Sequence, residues 1–499
     1  MNGYFSFEKL KSILTYVEND PLIFSTSLFM LLFAGVLLIY NLLHKNKNLR
    51  ILFLIFFSLY FYYKSAGYYF GIIILSAFVN YYIGKFIAAT ENFTIKRVWL
   101  WGGIAVNVGL LSYFKYTNFL LQIYNDISNG TIEPLAIFLP IGISFYTFKS
   151  LSYLFDIYLD LMPTAKNLRD FSLYVFFFPN ILAGPIDRAS EFIPQIDKEP
   201  FVSNEDLGRA VFLISLGLIK KVIIADYISL NFVDRIFDYP LRYTGMENLL
   251  ALYGYTLQVY CDFSGYSDMA IGIALFMGFK LMDNFNSPFK ATSVADFWRR
   301  WHISLSKWLL DYLFKPMQFS FRQMRIFGNM FSLTITFLIC GIWHGAGWNF
   351  IYWGLLHGIY MSVGILLQKP KTYVYKKLKI YNTPFLKFFQ VIITFHLIVF
   401  SFLVFRTPDT QIIKDVISQI YEFLHPEVFF QFMEEMPVVF ALFAIGFIFH
   451  FLPSIVEKTA LKAVTWLPWI GKAILLAAVI WIAAQFKSAD IQPFIYFQF

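Results

Sequence analysis

From residue 21 to residue 43 the chain carries no charged side chain, and eleven further apolar runs follow it, at 50–63, 66–89, 98–121, 134–158, 206–228, 246–278, 328–343, 347–367, 385–405, 437–453 and 466–485. A helix needs about 20 predominantly apolar residues to cross the hydrocarbon core of a bilayer. Most of the runs reach that length, while 50–63 and 328–343 are short. The pattern predicts an all-α, polytopic membrane protein with about 11–12 transmembrane helices. It leaves no room between the runs for a soluble domain of ordinary size, so 1–499 reads as a single transmembrane domain. Composition agrees: 58% of the 499 residues are hydrophobic, 21% aromatic and 14% charged.

The net charge of +8 does not point to nucleic acid, because Lys and Arg fall mostly in short loops beside apolar runs. With the N-terminus outside, the inside loops hold Lys45, Lys47 and Arg50, then Lys96 and Arg97, then Lys166 and Arg169, then Lys369 to Lys379, then Lys458 and Lys462. Each satisfies the positive-inside rule. The acidic stretch 406–436 then lies outside, as do the segments 1–20 and 486–499. Residues 1–20 lack the basic, apolar, small-residue order of a cleaved signal, so no removal is expected. Cys261 and Cys340 both lie in apolar runs and form neither a disulfide framework nor a zinc spacing. No metal site is expected.

Two stretches do not read as simple spans. Residues 176–185, Phe-Phe-Phe-Pro-Asn-Ile-Leu-Ala-Gly-Pro, are apolar but broken by two prolines and a glycine, which predicts a re-entrant segment. Broken backbone is tolerated at membrane depth where protein or a water-filled cavity surrounds it. Residues 296–308 alternate aromatic and basic side chains, which predicts a helix at the inner interface or dipping inward.

Ionisable residues at membrane depth are costly, so those that occur there are candidates for function. His44 and His425 fall at a boundary and in a loop. His357, His396 and His450 lie within apolar runs, where a hydrogen-bonded packing role outweighs catalysis. His302 and His344 stand among tryptophans and small or hydroxyl residues. A histidine near neutral pKa takes the proton of an alcohol as that alcohol attacks an acyl carbon. Two interfacial histidines in aromatic belts would look the same. Arg299 and Arg300 suit the phosphates of a nucleotide-bearing donor, and equally suit inside anchoring. Cys340 is one helical turn before His344, the spacing of a nucleophile pair, although a buried cysteine more often packs as a small apolar residue.

Asp262 and Asp268 lie in an apolar run with Ser264, Gly265 and Ser267. They would serve an ion-coupled transporter, or pair with arginines or helix ends while the small residues allow close helix packing. The segment 492–499, Gln-Pro-Phe-Ile-Tyr-Phe-Gln-Phe, carries four aromatic residues. It fits an interfacial anchor, or a peptide that inserts Tyr496 into a cavity open to the outside.

Six blocks in order resemble the membrane-bound O-acyltransferase family, in its bacterial alginate O-acetylase branch. They are 139–148 (LPIGISFYTF), 178–186 (FPN with AGPI), 220–226 (KKVIIAD), 262–272 (DFSGYSDMAIG), 297–306 (FWRRWHISLS) and 343–346 (WHGA). The resemblance runs from about Phe24 to the end of the chain. It implies a helical fold with a tunnel joining a cytoplasmic donor side to an extracytoplasmic acceptor side. His344 matches the family's catalytic histidine, and His302 the second active-site position, which is histidine or asparagine across the wider family. Leu310 departs from the branch, which has an arginine there, so contacts of that arginine are not carried over. The end of the chain is similar to an aromatic, tyrosine-bearing motif in D-alanylation systems, with Tyr496 at the acyl-relay position.

The resemblance thus implies an O-acetyltransferase of the bacterial inner membrane, with acetyl-CoA as donor substrate and no bound cofactor. Its partners would be an extracytoplasmic esterase-like transferase and a polysaccharide acceptor. A D-alanyl or other acyl donor would use the same histidines.

Overall fold

The computed structural model describes residues 11, 13–17, 21–486, 494 and 495. Among these the regular structure is helical throughout and no strand occurs. The helices used below are α1 (Ser27–Leu42), α2 (Lys47–Ala66), α3 (Phe70–Ala89), α4 (Phe93–Ser128), α5 (Ile143–Tyr158), α6 (Leu168–Phe176), α7 (Gly245–Phe276), α8 (Val294–Trp298), α9 (Ile303–Leu309), α10 (Arg325–His344), α11 (Trp348–Lys377), α12 (Pro384–Arg406), α13 (Pro437–Phe451) and α14 (Trp469–Phe486).

By length and apolarity, Lys47–Ala89, Arg322–His344, Trp348–Lys377, Pro384–Arg406 and Trp469–Phe486 are each sufficient to cross a membrane. A sixth arises if Val428–Glu435 and Pro437–Phe451, bent by 104°, act as one broken span. The protein is therefore multi-pass and all-α. Runs 98–121 and 246–278 fall on the long helices α4 and α7, and several others depart from a simple span for a local reason. The helix α1 stops at 16 residues. Run 134–158 becomes helical only at Ile143, after Gly142 at φ +81°. In run 206–228 the α-helix ends at Leu218 and gives way to wide π-type turns. Runs 50–63 and 66–89 join in one helical stretch through a tight turn at Gly67–Tyr69.

The Cα trace divides into two compact units. The first holds 1–214, 266–282 and 464–467. Within it, Asn80 of α3 and Asn107 of α4 exchange amide hydrogen bonds of 3.1 and 2.6 Å, polar contacts of the kind that join helices in lipid. The break expected at 176–185 is present and enclosed by protein. Phe177 leaves helical geometry, Phe178–Ile181 make one short turn, and 176–186 are all buried. The Phe178 amide donates to Ser58 Oγ at 3.1 Å, and Asn180 links Lys149 Nζ (2.9 Å) to Asp187 (2.8 Å). Freed backbone and polar groups are thus satisfied inside the unit, as the low dielectric demands. In the loops of this unit Asp197 pairs with Lys47 and, at 2.8 Å, with Lys166. Hydrogen bonds from Lys166 and Lys47 hold its carboxyl down at about 2.

The second unit holds 215–265, 283–463 and 468–499. Its densest pairing is the hairpin of α10 and α11. A Cβ at Gly341 would run into the carbonyl of Phe350, one at Gly354 into the carbonyl of Phe337, and one at Gly358 would come within 2.9 Å of Thr334 Cα. Small residues therefore let the two backbones touch, which is how helices associate where no hydrophobic driving force separates them from lipid.

Candidate active site

The α10–α11 turn ends on a histidine. His344 is the last residue of α10, and the chain reverses through Gly345, Ala346 and Gly347. A side chain at Gly345 would overlap the Phe350 ring, so the reversal can be this tight only with glycine there. His344 is 4% exposed, and its ring meets Trp343 at 4.7 Å, Trp353 at 4.9 Å and Phe405 at 5.3 Å between centroids. Asn349 fixes one wall by donating to the carbonyl of Phe405 at 2.8 Å.

His302 arrives from a different element. It caps α9 in left-handed geometry at φ +42°, an unfavourable conformation for a residue with a Cβ, and it is fully buried. Asn284 holds it there. The Asn284 carbonyl accepts from the Ile303 amide at 2.9 Å, and its side-chain oxygen receives the Ser304 amide at 3.2 Å and the Ser304 hydroxyl at 2.9 Å. A backbone N–H only donates, so that atom of Asn284 is oxygen. His302 Nδ1 lies 3.1 Å from the same oxygen and must carry the proton, which leaves the lone pair on Nε2. A fully buried imidazole with its Nδ1–H engaged by Asn284 fits the neutral form.

The two histidines share an indole. Trp343 packs beside His344 and also lies 6.2 Å from the His302 ring, which meets Phe263 edge-to-face at 4.6 Å between centroids. The structure thus brings together the two histidines the sequence singled out, on the side chain that precedes one of them. Arg299 and Arg300 are placed differently. Both pair with Asp296, at 3.5 and 3.1 Å, and the Arg299 side chain is 70% exposed. Cys340 is a fully buried free thiol in the α10 core.

The other histidines have packing partners. His357 accepts from the Trp298 indole at 3.2 Å, His450 from the Phe289 amide at 3.1 Å, and His396 pairs with the Tyr253 hydroxyl at 2.9 Å. His44 is half-buried beside the Asn41 carbonyl, and His425 is exposed beside Glu427. Asp262 is ion-paired with Lys221 at 2.7 Å, the pairing expected of a structural carboxylate. Tyr496 lies outside the described residues. Sequence reasoning missed Asn284, which stands 18 positions before His302 with no motif to join them. It also missed Lys221 as the partner of Asp262, since a lysine in a basic pair looks like an inside anchor.

Residues 161–405, which include both histidines, match the model of the membrane-bound O-acyltransferase family. The chain is 39% identical to the peptidoglycan O-acetyltransferase of Helicobacter pylori over 385 residues, covering 71% of this chain and 72% of that protein. It is 36% identical to the "Probable alginate O-acetylase" of Pseudomonas aeruginosa over 411 residues, 81% of this chain and 75% of that one. A teichoic acid D-alanyltransferase of Bacillus subtilis matches at 30% over 275 residues, 53% of this chain and 68% of that protein.

Proposed function

Since the chain belongs to the membrane-bound O-acyltransferase family and is an acyltransferase, we propose that it moves an acetyl group from cytoplasmic acetyl-CoA across the bacterial inner membrane, for O-acetylation of an extracytoplasmic polysaccharide. The observation that carries this reading is the pair of buried histidines on Trp343, one with its Nε2 lone pair set by Asn284. The whole of 1–499 acts as one membrane domain in this reading. Peptidoglycan and alginate acetylation by the named relatives make a glycan hydroxyl the natural final acceptor.

His344 serves as general base. It takes the proton of the acceptor hydroxyl while that oxygen attacks the thioester carbonyl; the C–S bond then breaks, and the proton passes to the departing thiolate, giving an ester and free CoA. His302 orients the donor. A neutral ring with Nδ1–H engaged offers only an acceptor at Nε2, which suits an amide N–H of the pantetheine arm and not an oxyanion. Asparagine at that position would offer an acceptor too. Arg299 and Arg300 meet the CoA phosphates at the inner face, with Asp296 holding their guanidinium groups in place.

The first acceptor in this reading is the hydroxyl of Tyr496, from which an extracytoplasmic esterase-like partner passes acetyl to the glycan. Mass spectrometry of the 492–499 peptide after incubation with acetyl-CoA tests the relay. An acetyl adduct on Tyr496, absent in His344→Ala, is expected. Undiminished glycan acetylation by Tyr496→Phe would exclude the relay and leave the histidine assignment standing. An adduct of D-alanyl mass, formed with a D-alanyl donor and not with acetyl-CoA, would replace the donor.

A further inference from the structure

Asp262 sits in the middle of α7 with 6% of its side chain exposed, and Lys221, with 4% exposed, reaches it from the wide turn Ile219–Asp226. Lys221 Nζ lies 2.7 Å from Asp262 and 2.7 Å from Asp226. Gly265 allows the approach, since a Cβ there would come within 2.8 Å of the Gly217 carbonyl and 3.1 Å of the Lys221 amide. Lys221 bridges the two carboxylates, and a buried carboxylate is tolerated only when its remaining lone pairs find donors. The donor is at the far end of the chain. The Ile495 amide donates to Asp262 Oδ2 at 2.8 Å, Phe494 and Ile495 are both buried, and the Phe494 ring lies 5.5 Å from Phe263. Phe263 in turn meets His302 edge-to-face at 4.6 Å.

We propose that Lys221 and Asp262 form a buried ionic clamp that docks the segment around Phe494–Ile495 and fixes its register beside the His302 wall. They are positioning residues. The lysine holds the carboxylate in its charged form and orients one oxygen toward the tail, and a charge-assisted bond to a backbone N–H is stronger than a neutral one. Recognition through main chain and a neighbouring aromatic ring sets register without reading the side chain that follows. Adjacent Cα atoms are about 3.8 Å apart, so fixing Ile495 restricts where residue 496 can be presented. This consequence for transfer rests on the relay reading; the docking stands on the geometry alone.

Carboxypeptidase digestion of the full-length protein in detergent, followed by intact mass, reads the docking as the rate of release of residues 496–499. Asp262→Leu with Lys221→Met removes the clamp as a balanced pair. Ile495→Pro deletes the same N–H from the tail side and leaves the helices untouched, so it keeps the test available if the double variant fails to fold. Both should release the four residues at least tenfold faster than the unaltered chain, and Asp262→Asn, which keeps an acceptor oxygen but loses the charge assistance, should release them faster by a smaller factor. Acetyl transfer by the released variants should lose kcat at least tenfold with KM for acetyl-CoA unchanged, a split that general loosening of the fold would not give. Unchanged release in Ile495→Pro overturns the clamp. Faster release together with undiminished transfer by Tyr496→Phe supports the clamp and removes the relay; unchanged release with a dead Tyr496→Phe does the reverse.

Discussion

The tautomer of His302 decides what that residue can do. Asn284 accepts from a backbone amide and from the imidazole through one oxygen, so Nε2 is an acceptor for as long as Asn284 is present. Replacing His302 with Asn should preserve acetyl transfer within about tenfold, whereas His302→Ala should cost on the order of a hundredfold, as for loss of a donor-positioning group; kcat/KM for acetyl-CoA makes the comparison. Asn284→Asp places a carboxylate on Nδ1–H. An opposite charge favours imidazolium, so the ring of this variant should keep a proton to higher pH. Activity of the variant should then carry an acid limb at higher pH than that of the unaltered chain. Identical pH profiles would contradict the assignment. Both histidines could be picked from the sequence, because a titratable residue among tryptophans at membrane depth stands out. Asn284 could not, since an asparagine before a phenylalanine carries no signal until the fold sets it on the ring.

Among elements, the α10–α11 hairpin depends on absence of side chains. Gly341 and Gly354 sit where a Cβ meets the opposite backbone, and no rotamer relieves a clash with a carbonyl. Gly341→Leu should therefore separate the helices and lower the melting temperature, with a cost of about 1–3 kcal/mol or more for overpacking. Gly364, on α11, faces open space, and Gly364→Ala should be neutral or slightly stabilising. A fluorescence melt of the two variants in detergent checks the contrast. The apolar runs announced helices correctly, because hydropathy reports what lipid and core share. They did not announce that α1 stops at 16 residues or that 219–226 and 310–314 wind into wide turns. Hydropathy averages over a window and is blind to which carbonyl each amide chooses. The two-proline break at 176–185 was legible because proline removes a donor and fixes φ.

For the whole molecule, the charge pattern orients the segments, and the proposed function requires that orientation to put the donor inside and the acceptor outside. The basic segment 369–379, at the end of α11, should be labelled from the cytoplasmic face and the acidic stretch 406–436 from the other, a result that single-cysteine accessibility scanning in intact cells gives directly. The central claim is that His344 performs the transfer. Membranes supplied with labelled acetyl-CoA should pass label to protein or glycan with the unaltered chain, and His344→Ala at matched expression should lose at least a hundredfold. Equal labelling by both would take His344 out of the chemistry and contradict the account.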